Sequence, residues 1–300
     1  MDNLTHTLFG LVLAKTRLGR SSPTAVPVLL IGSNLPDLDV VTRLFGGHAG
    51  YLEHHRGLTH AVIGIVVQVI VLAVVAWWIE RITARERAAS TPLARGSPLL
   101  AAAAGLFAHP LLDLMNEYGL RPWLPFSDRW IYGDLVFIVD PWLWLILGGT
   151  AACMGARSLR GDRAWGVLAA LATALFVAKE LGLVARGADE LPRGFFAVWF
   201  AGLATVVVLR RRPARAGSSG IALRVGAAVV AAYLALLTIT RSVAEHAVRE
   251  PMGRVLGGAE PLSCNMSPRL ATPFRWECIV CTADAAYWFP IDVFGAVGEP

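Results

Sequence analysis

The chain has 300 residues, of which 55% are hydrophobic and only 16% charged, and its mean hydropathy is +0.56. Soluble domains usually carry about 25% charged residues, so this composition excludes an ordinary soluble domain and favours an integral membrane protein. All but two of the 27 basic residues are arginines, and most of them lie in short loops between apolar runs. The placement of the arginines therefore indicates a role in membrane topology, and the net charge of +5 does not indicate the binding of nucleic acid.

Apolar runs follow one another along most of the chain. A helix that crosses a hydrocarbon core needs about 20 residues, and six runs reach or approach that length, at 58–79, 97–118, 135–156, 164–185, 194–209 and 221–240. Two shorter segments, 4–16 and 24–36, precede them and are typical of short or re-entrant helices. The sequence thus predicts an all-α polytopic membrane domain over residues 1–240, with six to eight membrane helices.

The loops between these runs predict an orientation. Basic residues cluster in alternate loops, near 15–20, 81–95, 157–163 and 210–215. Because basic loops stay on the cytoplasmic side, both termini and the helix ends rich in histidine and aspartate should face the other side. We therefore expect a multi-pass protein of the bacterial cytoplasmic (inner) membrane, with its site facing the extracytoplasmic side.

The segment 241–300 differs from the rest because it is polar and rich in proline and glycine. Stretches at 276–280 and 285–289 are typical of short strands, so we expect a small extracytoplasmic module. Its cysteines, Cys264, Cys278 and Cys281, allow one disulfide on an oxidising side of the membrane. The C-x-x-C spacing alone is a weak signal for zinc or redox chemistry, since no second pair exists.

Histidine and aspartate recur at the ends of the apolar segments. Ionisable groups are costly at membrane depth and therefore indicate function, and neutral histidine and ionised aspartate are ligands of zinc and related metals. The residues in question are His6, Asp37, Asp39, His54, His55, His60, His109 and Asp113.

Two pairs of these residues have an informative spacing. His109 and Asp113 are four residues apart in a predicted helix and share a face that Glu117 would extend. Such a pair is half of a metal site, although an isolated hydrogen bond between the two explains it equally well. Asp37 and Asp39 lie close enough to bind a metal or to act as a general base, and a solvated helix end is the plainer explanation.

The stretch H-H-R-G-L-T-H, which ends at His60, is the most specific motif. Its Arg56 is suited to bidentate binding of a phosphate or carboxylate. A structural or pH-sensitive histidine cluster is the alternative. Further along, Asp134 is a candidate ligand or water-orienting group, whereas Asp140, directly before Pro141, is either an entrance residue or the start of a helix.

In this order, the motifs M-D-x-x-T-H, P-D-x-D, H-R-G-x-T-H and H-x-x-x-D resemble those of the YdjM/DUF457 family of membrane-bound proteins. The resemblance is strong over residues 1–141 and implies a metal-dependent hydrolase. More distantly, the order is similar to that of zinc-dependent phospholipase C and S1/P1 nuclease. No counterpart of their later histidine and glutamate ligands is evident, which implies one or two metal ions.

The resemblance and the motifs together give a specific expectation. One or two divalent ions, most simply Zn²⁺, should bind to His6, Asp37, Asp39, His60, His109 and Asp113. Asp39 would accept a proton from water, while Arg56 and His55 would stabilise negative charge that develops on the substrate. A site at the membrane surface favours a phosphoester of a lipid or a lipid-linked substrate.

Two other functions could use the same residues. A transporter of divalent metal or protons would have ionisable residues throughout the membrane depth and usually internal repeats. Here the candidate residues lie on one face, and the inner halves of the helices are apolar, with Lys179 and Glu180 as the exception. A non-catalytic membrane scaffold would use a fully coordinated structural metal to hold its helices together. The sequence gives no signal for an oligomeric state.

Overall fold

We describe the protein from a computed structural model, which covers residues 1–45, 47, 55–86, 97–155, 158–184, 190–212, 217–257, 260–295 and 297–298. The helices are α1 (Asn3–Ala14), α2 (Ala25–Gly32), α3 (Val62–Glu86), α4 (Pro98–Asp113), α5 (Pro141–Met154), α6 (Leu159–Glu180), α7 (Phe195–Arg211) and α8 (Ser218–Leu256). A 3-10 segment, Leu35–Val41, follows α2. The chain forms two compact units, Met1–Gly133 and Asp134–Pro300. His54 lies outside the described residues.

Helices α2, α3 and α4 form the apolar core of the first unit, built largely from alanine, valine and leucine. Helices α2 and α4 approach closely because glycines face each other. A Cβ atom added at Gly105 would lie 2.9 Å from the carbonyl oxygen of Leu29, and one added at Gly32 would lie 3.3 Å from the amide nitrogen of Leu106. Such small-residue contacts are typical of membrane helices. They fix the end of α2 against the middle of α4.

Among the described residues, three helices are long and apolar enough to cross a membrane, over Val62–Thr83, Leu159–Glu180 and Ser218–Leu256. Ala25–Gly32 and Leu35–Phe45, bent by 49°, would form a fourth span if they cross together. The prediction of six to eight membrane helices was therefore too high.

Two of the predicted spans are shorter as helices than as apolar runs. Helix α4 has 16 residues because it ends at Asp113, where a turn follows, and α5 has 14 because it begins only at Pro141. Proline is favoured in the first turn, where its missing N–H loses no bond. Hydropathy does not register such helix boundaries, so the runs 97–118 and 135–156 overestimated the helical length.

Aromatic side chains pack together in the helical part of the second unit. The ring of Phe176 lies 5.6 Å from that of Trp144, 5.0 Å from that of Phe195 and 5.3 Å from that of Trp199, between centroids. The 39-residue helix α8 continues to Leu256, so the domain boundary predicted at residue 240 falls inside it.

A three-stranded antiparallel sheet follows α8, with strands β1 (Ser263–Pro268), β2 (Arg275–Cys281) and β3 (Ala286–Asp292) in that spatial order. The predicted strands at 276–280 and 285–289 correspond to β2 and β3. Strand β1 was not predicted, because its sequence, S-C-N-M-S-P, lacks the β-branched and aromatic residues that favour strands.

We expect Gly105→Ala to destabilise the first unit by about 1–3 kcal/mol, because the added methyl group would overlap the backbone of α2. Gly166→Ala is the matched control, since a Cβ atom at that helical position has no neighbour within 4 Å. That control should be neutral or slightly stabilising. Thermal unfolding in detergent would measure both effects, and equal midpoints for the two variants would contradict the close-packed contact.

Candidate metal centre

Four side chains from three parts of the first unit converge on one point. Asp37 comes from the 3-10 segment, His60 from the turn before α3, and His109 and Asp113 from the last turns of α4. The Nε2 atom of His60 lies 3.1 Å from Nε2 of His109, 3.4 Å from Oδ1 of Asp37 and 3.4 Å from Oδ2 of Asp113. Nε2 of His109 lies 3.5 Å and 3.3 Å from the same two carboxylate oxygens.

These separations fit a small divalent cation. Nitrogen and oxygen ligands lie about 2.0–2.1 Å from zinc in a tetrahedral site, which places the ligand atoms about 3.3–3.4 Å from one another. The five measured separations are between 3.1 and 3.5 Å. The side chains therefore already have the spacing that such an ion requires.

Hydrogen bonds orient both imidazoles as metal ligands. Nδ1 of His109 lies 2.8 Å from the carbonyl oxygen of Ser33, which can only accept, so the proton is on Nδ1 and the lone pair of Nε2 faces the cluster. Nδ1 of His60 faces Thr59 Oγ1 at 3.0 Å and a carboxylate oxygen of Asp39 at 3.5 Å. Burial lowers the pKa of His60 to about 4, so it is neutral at pH 7. Metal-binding histidines are commonly held in this way.

Buried polar atoms that lack a hydrogen-bond partner within the described residues support the same assignment. His6 stacks on His109 with ring centroids 3.8 Å apart, and its Nε2 lies 3.3 Å from Oδ1 of Asp113. Within the described part of the chain, neither nitrogen of His6 nor Oδ2 of Asp113 has a hydrogen-bond partner, and both side chains are fully buried. Leaving such atoms unsatisfied costs about 1–3 kcal/mol each. A cation in the cluster would satisfy Oδ2.

Arg56 is buried beside the cluster and holds Asp113. Its guanidinium donates to Oδ1 of Asp113 at 3.1 Å, to Oδ1 of Asn116 at 2.8 Å and to the carbonyl oxygen of Gly119 at 3.1 Å. It also lies 4.8 Å from the ring centroid of Tyr118. Arg56 thereby leaves the other oxygen of Asp113 directed at the two histidines. A role for Arg56 in contacting substrate oxygens stays a prediction.

Asp39 lies behind His60 and outside the four-atom cluster. Its carboxylate accepts the backbone N–H of Arg56 at 2.9 Å and lies 3.1 Å from Nδ1 of His55. Asp37, Asp39 and His55 form a second group whose ligand atoms are close enough to hold a metal. The structure thus brings all the predicted ligands into two adjoining groups that share Asp37, with His6 stacked against the first.

Other contributors were not predicted. Ser33 acts through its backbone carbonyl, which no sequence motif reveals, and Tyr118 and Asn116 contact Arg56. A polar residue three positions after Asp113, near the end of an apolar run, was the available signal for Asn116. Glu117 does not extend the helical stripe, because α4 ends at Asp113 and Glu117 lies in the turn beyond it.

Two further candidates, Asp134 and Asp140, lie in the second unit. Asp140 caps α5 by accepting the N–H groups of Trp142 at 2.9 Å and Leu143 at 3.0 Å, and it accepts the hydroxyl of Tyr233 at 2.7 Å. It is therefore the start of a helix. Asp134 is buried with a φ of 48°, and burial raises its pKa to about 6.

We expect Asp134→Asn to stabilise the protein at pH 8 by about 1–2 kcal/mol. The folded-state pKa of about 6 lies above the ordinary value of 3.8, so the protonated carboxyl group contributes stability below pH 3.8 that is lost as pH rises through 6. Asparagine tolerates the positive φ and does not ionise. The difference in unfolding midpoint should therefore grow from pH 4 to pH 8, whereas the exposed control Asp284→Asn should show no such trend.

The comparisons with known proteins agree with the membrane composition. The chain is 27% identical over 154 residues to the uncharacterized protein YfhP of Bacillus subtilis (strain 168), which covers 48% of this chain and 43% of that protein. The match therefore spans less than half the length of this curated relative. No solved structure matches the chain. The family described as YdjM inner membrane protein matches residues 1–183. This range includes every residue of the metal cluster, and the chain belongs to the YdjM inner membrane protein family.

Proposed function

We propose that the protein is a metal-dependent hydrolase of the inner membrane that cleaves a phosphoester of a lipid or a lipid-linked substrate. The observation that carries the proposal is the convergence of four ligand atoms at separations of 3.1–3.5 Å, with the Nε2 atoms of both histidines directed inwards. Two neutral imidazoles and two carboxylates are a ligand set that suits zinc.

The residues of the two groups have complementary roles in this proposal. A divalent ion held by the four ligands would supply Lewis acidity and make water easier to deprotonate. Asp39, supported by His55, would accept the proton from water on the side of Asp37. Arg56 would keep Asp113 in position through its other carboxylate oxygen.

Access to the site favours the side of Asp37 and His55. Their side chains are 15% and 13% exposed, whereas those of His60, His109 and Asp113 are fully buried. Water and substrate would therefore enter next to Asp39 and His55, the pair that would accept the proton from water. We also propose that this entrance faces the extracytoplasmic side, as the basic loops predict.

An aromatic surface beside the entrance supports a lipid substrate. The ring of Tyr118 lies 5.1 Å from that of His55 and 6.3 Å from that of Trp130, between centroids. In the same segment Trp123 is 54% exposed and Phe126 is 86% exposed. Exposed aromatic rings favour the membrane–water interface, so a lipid headgroup would lie close to the metal ligands.

A structural metal is the second candidate. Four protein ligands can complete a tetrahedral site, and closed sites of this kind usually stabilise a fold without performing catalysis. The number of ligands in the main cluster favours this alternative. The partial exposure of Asp37 favours hydrolysis, because a replaceable ligand would open a position for water.

We expect purified protein to retain about one zinc ion per chain, and His109→Ala to weaken zinc binding more than about 10-fold, since it removes one ligand and the contact with Ser33. Elemental analysis and competition with a chelator would measure both. His246→Ala, in α8 of the second unit, is the matched control and should bind zinc like the wild type. Wild-type protein that holds no metal after purification with zinc would contradict the proposal.

We expect the zinc-loaded protein to hydrolyse a phospholipid or a lipid phosphoester in mixed micelles, and Asp39→Asn to lower kcat by about 10²–10⁴. The variant should lose much less zinc than activity, because Asp39 lies outside the four-ligand cluster. Asp128→Asn, an exposed carboxylate in the same unit, is the control and should be fully active. Zinc content without hydrolysis of any phosphoester tested, together with a lower unfolding midpoint after chelation, would establish the structural role instead.

A further inference from the structure

Two cysteines meet on one face of the C-terminal sheet. In the antiparallel register Cys278 of β2 is directly opposite Met266 of β1, and Cys264 lies two residues before Met266. Residues two apart on a strand point to the same face, so Cys264 and Cys278 are diagonal neighbours on that face. Their Sγ atoms are 3.3 Å apart.

The third cysteine of the sheet does not belong to this pair. Cys281 is three residues after Cys278 on the same strand, and residues at an odd spacing point to opposite faces of a sheet. Its partners in the register are Ser263 and Ala286. The C-x-x-C spacing in the sequence therefore does not describe the pair that the fold brings together.

We propose that Cys264 and Cys278 form a disulfide that links β1 to β2 when the protein meets a thiol-oxidising environment. The sulfurs need to approach by about 1.3 Å to reach the bonding distance of about 2.05 Å. Cys264 is exposed at the end of its strand, where a side-chain rotation meets little resistance. The proposal does not depend on the metal centre.

Exposure determines the order of the reaction. The thiolate of Cys264 attacks one sulfur of a small disulfide such as oxidised glutathione, which releases one thiol and leaves a mixed disulfide on Cys264. Cys278, which is fully buried, then attacks Sγ of Cys264 and releases the second thiol. Two protein thiols are oxidised, one small disulfide is reduced to two thiols, and the two protons pass to the released thiols. Burial raises the pKa of Cys278 to about 12, which agrees with Cys264 reacting first.

The test uses the full chain in detergent, incubated with oxidised glutathione, then denatured and labelled with a maleimide. The chain has four cysteines, so the wild type should lose two of four maleimide adducts, and peptide mapping should recover a link between Cys264 and Cys278. Labelling of all four thiols after oxidation, or a link that includes Cys281, would overturn the proposal.

Three variants separate the roles of the cysteines. After oxidation, Cys281→Ser should still lose two maleimide adducts. Cys264→Ser, which changes an exposed position, should lose none. Cys278→Ala should retain glutathione on Cys264, because the resolving thiol is missing. Thermal unfolding would confirm that each variant is folded. If Cys278→Ala does not fold, the number of adducts on Cys264→Ser still tests the proposal. Formation of a disulfide in Cys264→Ser would contradict the assignment.

Discussion

The hydrogen bond from Nδ1 of His109 to the carbonyl oxygen of Ser33 connects the packing of α2 against α4 to the candidate metal centre. Ser33 directly follows α2, and His109 lies in α4, so the bond depends on the close contact at Gly32 and Gly105. The contact brings a carbonyl group to the imidazole, and the carbonyl fixes which nitrogen carries the proton. A wider separation of the two helices would break this hydrogen bond. Neither the tautomer of His109 nor the position of its ring would then be fixed.

Charge balance supplies the second constraint. Carboxylate oxygens of Asp37 and Asp113 lie within 3.5 Å of Nε2 of His109, and the guanidinium of Arg56 donates to Oδ1 of Asp113. An ionised carboxylate is costly to bury unless a cation compensates it. Arg56 and the terminal amine of Met1 both contact Oδ1 of Asp113, whereas a divalent cation in the cluster would be held by Oδ2 of Asp113 and by Asp37. The same ion would satisfy Oδ2 of Asp113, so the fold as well as the motif indicates a cluster that could hold a metal ion.

Much of the site could be predicted from the sequence, because spacing on a helix determines which residues share a face. His109 and Asp113 follow this rule directly. The position of Asp39 behind His60 could not be predicted, since it depends on how the 3-10 segment packs against a turn distant in sequence. The number of spans was overestimated for a related reason: hydropathy records apolar composition, but proline and turns determine where helices end. Strand β1 is formed mainly through its register with β2, and its own composition gave no indication of it.

Asp37 is the residue on which the choice between a structural and a catalytic ion rests in our proposal. It is the most exposed of the four clustered ligands, and it also belongs to the second group with Asp39 and His55. A carboxylate shared by two groups can bind the ion through one oxygen while its other oxygen faces water. The remaining three ligands are fully buried and held by Ser33, Thr59 and Arg56. A centre with three fixed ligands and one accessible ligand resembles catalytic zinc sites, in which three protein ligands leave a position for water. The partial exposure of Asp37 is thus the physical reason why we propose hydrolysis and not a purely structural ion.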